Sequence, residues 1–158
     1  MNVDTPVLDR CPFFEHFQPK HLDKLNALSS LVRFAKDEIV FQEDDEDTHF
    51  YVLLSGRVAL ELTRGGKPHT IEILHGGDEL GWSAVLGQKK QFRARALEPA
   101  EAWAFEVGDL LEAFDANPYF ARAFLERLAD VIAQRLQHTR KQLGRALADA
   151  RLSAKASA

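Results

Sequence analysis

The sequence predicts an α+β fold that is mainly β: a sandwich or barrel-like roll of short strands between N-terminal helices and one long C-terminal helix. Three observations predict it. Apolar residues alternate with a period of two, in short runs separated by Gly-containing turns, from Leu31 to about Val107. The alternation is interrupted once, by the Gly-rich stretch Gly76 to Leu97, GGDELGWSAVLGQKKQFRARAL. Beyond Val107 the apolar period becomes helical and stays so for about 30 residues.

Residues 1–30 form an N-terminal helical cap. Pro12, Phe13, Phe14 and Phe17 precede Lys20 to Ser30, where Leu22, Leu25 and Leu28 recur at intervals of three on one helical face. Residues 31–107 form the β-roll. Its strands are marked by Val32 and Phe34, then Ile39 and Phe41, then Phe50, Val52 and Leu54 before Gly56, then Val58, Leu60 and Leu62. Gly65-Gly66 makes a tight hairpin turn into Thr70, Ile71 and Ile73. Phe92, Ala94 and Ala96 resume the alternation, followed by Trp103 and Phe105. Residues 108–151 are helical. A short helix from Gly108 to Ala116 stops at Asn117-Pro118, where Asn117 suits a cap and Pro118 the first turn of the next helix. Residues 152–158, rich in Ala and Ser, are expected to fray as a disordered tail.

The long helix carries its own argument. Phe120, Phe124, Leu128, Ile132, Leu136, Thr139, Leu143 and Leu147 lie three or four apart over a length of about 45 Å, which is more than so small a domain covers. The first half packs on the sheet and the second half needs another helix. A second copy supplies it most simply, so a homodimer is expected through Phe124, Leu128, Ile132, Leu136 and Leu143.

Composition bounds the function. The chain has 158 residues, 46% apolar and 28% charged, with a net charge of −4, which argues against general nucleic-acid binding. The basic end from Arg135 onward, with Arg140, Lys141, Arg145, Arg151 and Lys155 against Asp149, is either a solvated helix face or a surface for an acidic partner. No apolar run is long enough to span a bilayer and the first ten residues are too polar for a secretion signal, so a cytoplasmic location with no membrane association is expected. The sole cysteine, Cys11, forms no internal disulfide and is expected to be a small buried side chain. No nucleophile is paired with a base, so the residues read as a binding module and not an enzyme. His75 is either a surface residue or a ligand for a metal or haem, and no second ligand accompanies it, so no metal site is assigned.

The Gly-rich stretch has two readings. Gly76, Gly77 and Gly81 allow sharp turns, Ser83 to Leu86 make one helical turn, and Lys89, Lys90, Arg93 and Arg95 follow, a combination that suits a phosphate. The other reading is a hairpin loop with a solvated basic rim.

Taken together, Leu53-Leu54-Ser55-Gly56-Arg57-Val58, Gly77-Asp78-Glu79-Leu80-Gly81, Arg95-Ala96-Leu97-Glu98 and Arg135-Leu136-Gln137-His138-Thr139 resemble the cyclic-nucleotide-binding domain of the catabolite-activator (CRP/FNR) family of bacterial regulators. The resemblance covers about Cys11 to Leu143 and implies a double-stranded β-helix, jelly-roll-like, with a phosphate-binding cassette at 76–97. It places the ligand pocket on Gly81, Trp82, Ser83, Ala84, Lys90 and Gln91, with Thr139 contacting the base across a dimer. Trp82 stands where the family has a ribose-binding glutamate, and either fills that space or stacks on a flat ligand. Lys90 stands where the family has its phosphate arginine and lacks the planar fork. Asp37 and Asp44 replace turn glycines. The resemblance therefore implies a regulatory, effector-sensing domain for a cyclic nucleotide or related anion, with weak affinity for cyclic AMP, no firm cofactor and an unnamed protein partner. The alternative is an interaction domain that has lost nucleotide binding. The tail after Leu152 has no room for a helix-turn-helix, so direct DNA recognition by this chain is not expected.

Overall fold

Alternating apolar residues in short runs are buried when two sheets bring their apolar faces together. The structure, a computed structural model, describes Leu8, residues 11–46 and residues 48–157. A 3₁₀ turn (Pro12–Phe14) and helix α1 (Pro19–Leu28) precede strands β1 (Ser29–Phe34), β2 (Ile39–Phe41), β3 (His49–Ser55), β4 (Val58–Arg64), β5 (Lys67–Leu74) and β6 (Glu79–Leu80). Helix α2 (Trp82–Val85) separates these from β7 (Arg93–Ala96) and β8 (Ala100–Glu106), after which come α3 (Val107–Ala116) and α4 (Pro118–Ala156). The chain divides into two compact units, one up to Ala121 and one from Arg122 onward.

In the first unit the strands form two four-stranded antiparallel sheets, ordered β1-β8-β3-β6 and β2-β7-β4-β5. Tyr51, Leu53, Val58, Leu60, Leu74, Leu80, Ala94, Ala102 and Ala104 form the buried cluster between them. Strand β8 shows how pattern becomes packing. Its alanines enter that cluster, while the alternate residues Trp103 and Phe105 meet Phe14 on the opposite face. Phe13 adds a contact with Phe50 there. The N-terminal cap thus covers the outer face of the first sheet, and each fully buried Phe stabilises the unit by about 1.5–3 kcal/mol. Cys11 is buried in the same region, as expected.

The turns explain two substitutions. Asp37 and Asp44, at positions where the resemblance implies glycine, have φ of 68° and 62°, in the left-handed region. Asp tolerates that region better than most residues, and Asp37 is further held by its Oδ1, which accepts a bond from Arg95 Nη1 at 2.9 Å. Gly65 and Gly66 both have positive φ and close the β4–β5 hairpin between Arg64 and Lys67.

Helix α1 buries Leu25 as read from the sequence, but also His21, whose ring lies 5.5 Å from that of Phe120. Neither ring nitrogen has a hydrogen-bond partner among the described residues. Burial, with Lys20 adding to it, lowers the His21 pKa, so the imidazole is held neutral. Asn117 caps α4 as expected: its Oδ1 accepts from the N–H groups of Tyr119 at 3.1 Å and Phe120 at 3.2 Å. One expectation is corrected at the other end. The supposed disordered tail from Leu152 continues as helix through Ala156, because Ala has the highest helix propensity and nothing in ARLSAKA breaks the ladder. Among the described residues no helix is long and apolar enough to cross a membrane.

Candidate ligand-binding cassette

The cassette is built by backbone geometry first. Gly77 N–H donates to Leu53 O at 2.7 Å, Leu53 N–H to Asp78 O at 2.8 Å, and the Asp78 carboxylate accepts from His75 N–H at 2.8 Å, which fixes the entry to β6 against β3. Gly81 then turns the chain with φ 82° and opens α2. A Cβ at this position would lie 2.6 Å from Lys90 Nζ and 2.8 Å from His49 O, so only glycine fits. The helix is a single turn. Ala84 N–H donates to Gly81 O at 3.2 Å, and Ser83 O accepts from both Leu86 and Gln88, at 3.1 and 2.9 Å. Gly87, with φ 69°, reverses the chain toward β7.

Of the residues expected to hold a ligand, Gly81, Trp82, Ser83 and Ala84 are contiguous in this turn. Ser83 and Ala84 are buried and Trp82 is half-buried, while Gln91 is exposed. The Ala84 amide is already paired within the turn. Lys90 departs furthest from expectation. Its side chain is only 1% exposed, and its ammonium donates to His49 O at 2.9 Å and Gly81 O at 3.2 Å, 4.6 Å from the centroid of the Phe41 ring. The cation points into the protein rather than out of a basic rim.

Two more of the four basic residues are likewise engaged. Glu61, 4% exposed at its side chain, accepts from Arg93 Nη2 at 2.9 Å and from Arg95 Nη2 at 3.1 Å. Hydrogen bonding from Arg95 first, and from Arg93, holds the Glu61 carboxyl below the usual carboxylate range although burial acts the other way. The same pairing raises Arg95. Glu61 was not read from the sequence as part of this region. Its signal is a lone Glu between Leu60 and Leu62 in β4, facing an Arg-Ala-Arg alternation in the partner strand, where register sets Glu61 opposite Arg93 and Ala59 opposite Arg95. Lys89 is exposed and lines a cleft of about 430 Å³ with Glu46, Thr48, Ala84, Gly87 and Gly108, a feature the sequence reading missed. His75 is exposed, and among the described residues no cluster of metal-ligating side chains is present.

Thr139 lies in the second unit, where its Oγ1 donates to Arg135 O of its own helix at 2.9 Å. The residues expected at a dimer surface differ in exposure. Phe124 and Leu128 are buried, Ile132 is half-buried, and Leu136 and Leu143 are 49% and 58% exposed.

A family model described as the cyclic nucleotide-binding domain matches residues 31–117, a span containing the Gly-rich stretch and both sheets except the first two residues of β1. The chain belongs to this family. Among solved structures, this cyclic nucleotide-binding domain is similar to the N-terminal domain of a transcriptional regulator from Streptomyces coelicolor, with TM-score 0.68 and 25% identity, covering 87% of this chain and 95% of the other. It is similar also to the catabolite activator protein of Thermus thermophilus, with TM-score 0.69 and 25% identity, covering 84% and 62%. A curated relative, the Pycsar effector protein PaPycTIR of Pseudomonas aeruginosa, is 28% identical over 116 residues, or 71% of this chain. The chain spans only 36% of that relative's length.

Proposed function

We propose that this cyclic nucleotide-binding domain is an effector-sensing regulatory module, not an enzyme, with weak affinity for cyclic AMP and with its signal passed through a homodimer of α4. The observation that carries the reading is the turn at Gly81, a left-handed glycine opening a one-turn helix with buried Ser83 and Ala84 between β6 and β7. This turn supports the reading that the family's ligand-binding element is present here. Weakness follows from its contents: Trp82 cannot accept the bond that a ribose-binding glutamate would, and the ammonium of Lys90 is turned onto two carbonyls.

A hydrogen bond to a charged group is worth about 1.5–3 kcal/mol, so the missing glutamate alone lowers affinity about 10- to 150-fold. Calorimetric titration of cyclic AMP is expected to give little heat with the native protein and measurable binding with Trp82→Glu. Tight binding by the native protein would show that Trp82 stacks on the ligand. No gain in a folded Trp82→Glu variant would count against a nucleotide site.

A second reading is a ligand-independent interaction domain, and one observation favours it. Lys90, Arg93 and Arg95 are all engaged by the chain's own carbonyls or carboxylates. A panel of nucleotides read by melting temperature separates the two readings, because a ligand at a hundred times its Kd stabilises by about 2.7 kcal/mol.

A further inference from the structure

We propose that Lys90 is an internal tether that sets the cassette turn in the absence of any ligand. Segments distant in sequence meet at this residue. Its N–H donates to Asp45 O at 3.2 Å and its carbonyl accepts from Asp44 N–H at 2.9 Å, which ties it to the loop between β2 and β3. Its ammonium reaches His49 O at the start of β3 and Gly81 O at the start of α2, beside the face of Phe41 in β2.

An ammonium is buried at this depth only where acceptors surround it, and here two carbonyls and an aromatic face do so. The dependence is mutual. Removing the charge takes the ammonium donor from His49 O and from Gly81 O, the second of which also accepts the Ala84 N–H that closes the first turn of α2. Gly81 and Lys90 are fitted to each other as well, since a Cβ on Gly81 would lie 2.6 Å from Nζ. The cation is thus committed to shaping the turn from within, where an outward-facing arginine would wait for a phosphate. This deepens the proposed function in one respect: the cassette does not depend on an effector to order it. The tether itself stands whether or not a nucleotide binds.

The test uses no nucleotide, so it fails or succeeds independently of the titration above. In limiting acetylation of the native protein, Lys89 and Lys90 fall in one peptide and act as mutual controls. Exposed Lys89 is expected to react at least tenfold faster, and equal rates would overturn the burial on which the proposal stands. Hydrogen exchange of Lys90→Met against native protein then reads the tether. Amides from Leu80 to Gln88 are expected to exchange at least tenfold faster in the variant, with those of β4 and β8 unchanged. Exchange that is unchanged across the turn, or faster everywhere alike, would overturn it. Should Lys90→Met not fold, Lys90→Arg keeps the charge but must seat a larger head beside Gly81. It is expected to loosen the same amides by a smaller factor, and native-like exchange in Lys90→Arg would count against the fit.

Discussion

Glu61 organises the charge on the outer side of the second sheet. Its side chain is 4% exposed beneath arginines that are 24% and 28% exposed, so the pair is half desolvated and worth more than a surface ion pair. Glu61→Gln keeps the volume and removes the charge, and is expected to destabilise the protein by about 1.5–3 kcal/mol at pH 7 in urea denaturation. The pH dependence has a definite sign. The folded carboxyl titrates below the unfolded one, so the contribution is complete above the ordinary carboxylate range and is lost as pH falls through the lower, folded value. The stability gap between native protein and variant should therefore narrow between pH 5 and about pH 3. A gap that stays constant over that range would mean the carboxylate charge is not what holds Arg93 and Arg95.

At the scale of the element, α4 depends on how it begins. Helix α3 ends where Asn117 takes up an extended conformation, and the same side chain caps the amides of Tyr119 and Phe120. Asn117→Ala leaves those donors without their acceptor and is expected to cost about 1 kcal/mol, read as a lowered urea midpoint. Asn117→Asp keeps the acceptor and adds a negative charge at the helix start, so it should match or exceed the native stability. Equal stability of the Ala variant would show that water replaces the cap without loss. Far from this cap, the helix persists through Ala156 in a stretch rich in alanine, the residue of highest helix propensity.

At the scale of the whole molecule, α4 leaves apolar residues without cover. Leu136 and Leu143 are 49% and 58% exposed, and Leu147, on the same face of the helix, is 57% exposed. Such a row on one helix calls for a second helix, and the proposed homodimer uses it from Ile132 onward. Light scattering at tens of micromolar is expected to give twice the chain mass. Leu136→Glu with Leu143→Glu should reduce this to the monomer while leaving the sheets folded, since neither residue is buried. A native protein that is monomeric at this concentration would remove the homodimer from the proposed function.

Period-two alternation, paired glycines and a capped helical stripe are local features, and they sufficed for the sheets, the Gly65-Gly66 turn, the Asn117 cap and the single helical turn between β6 and β7. A left-handed turn held by Asp37 or Asp44 was not legible, because the sequence shows an aspartate without showing that its neighbours hold it at positive φ. The cations of the cassette were legible as residues but not as roles. Lys89 and Lys90 are adjacent and chemically identical in sequence, yet one is exposed and the other is buried against Gly81 and His49. Neither lies in a strand, and what the Lys90 side chain meets depends on carbonyls brought from residues 41 and 9 positions away. Long-range placement of acceptors decides where a charge goes, and only the tertiary structure contains it.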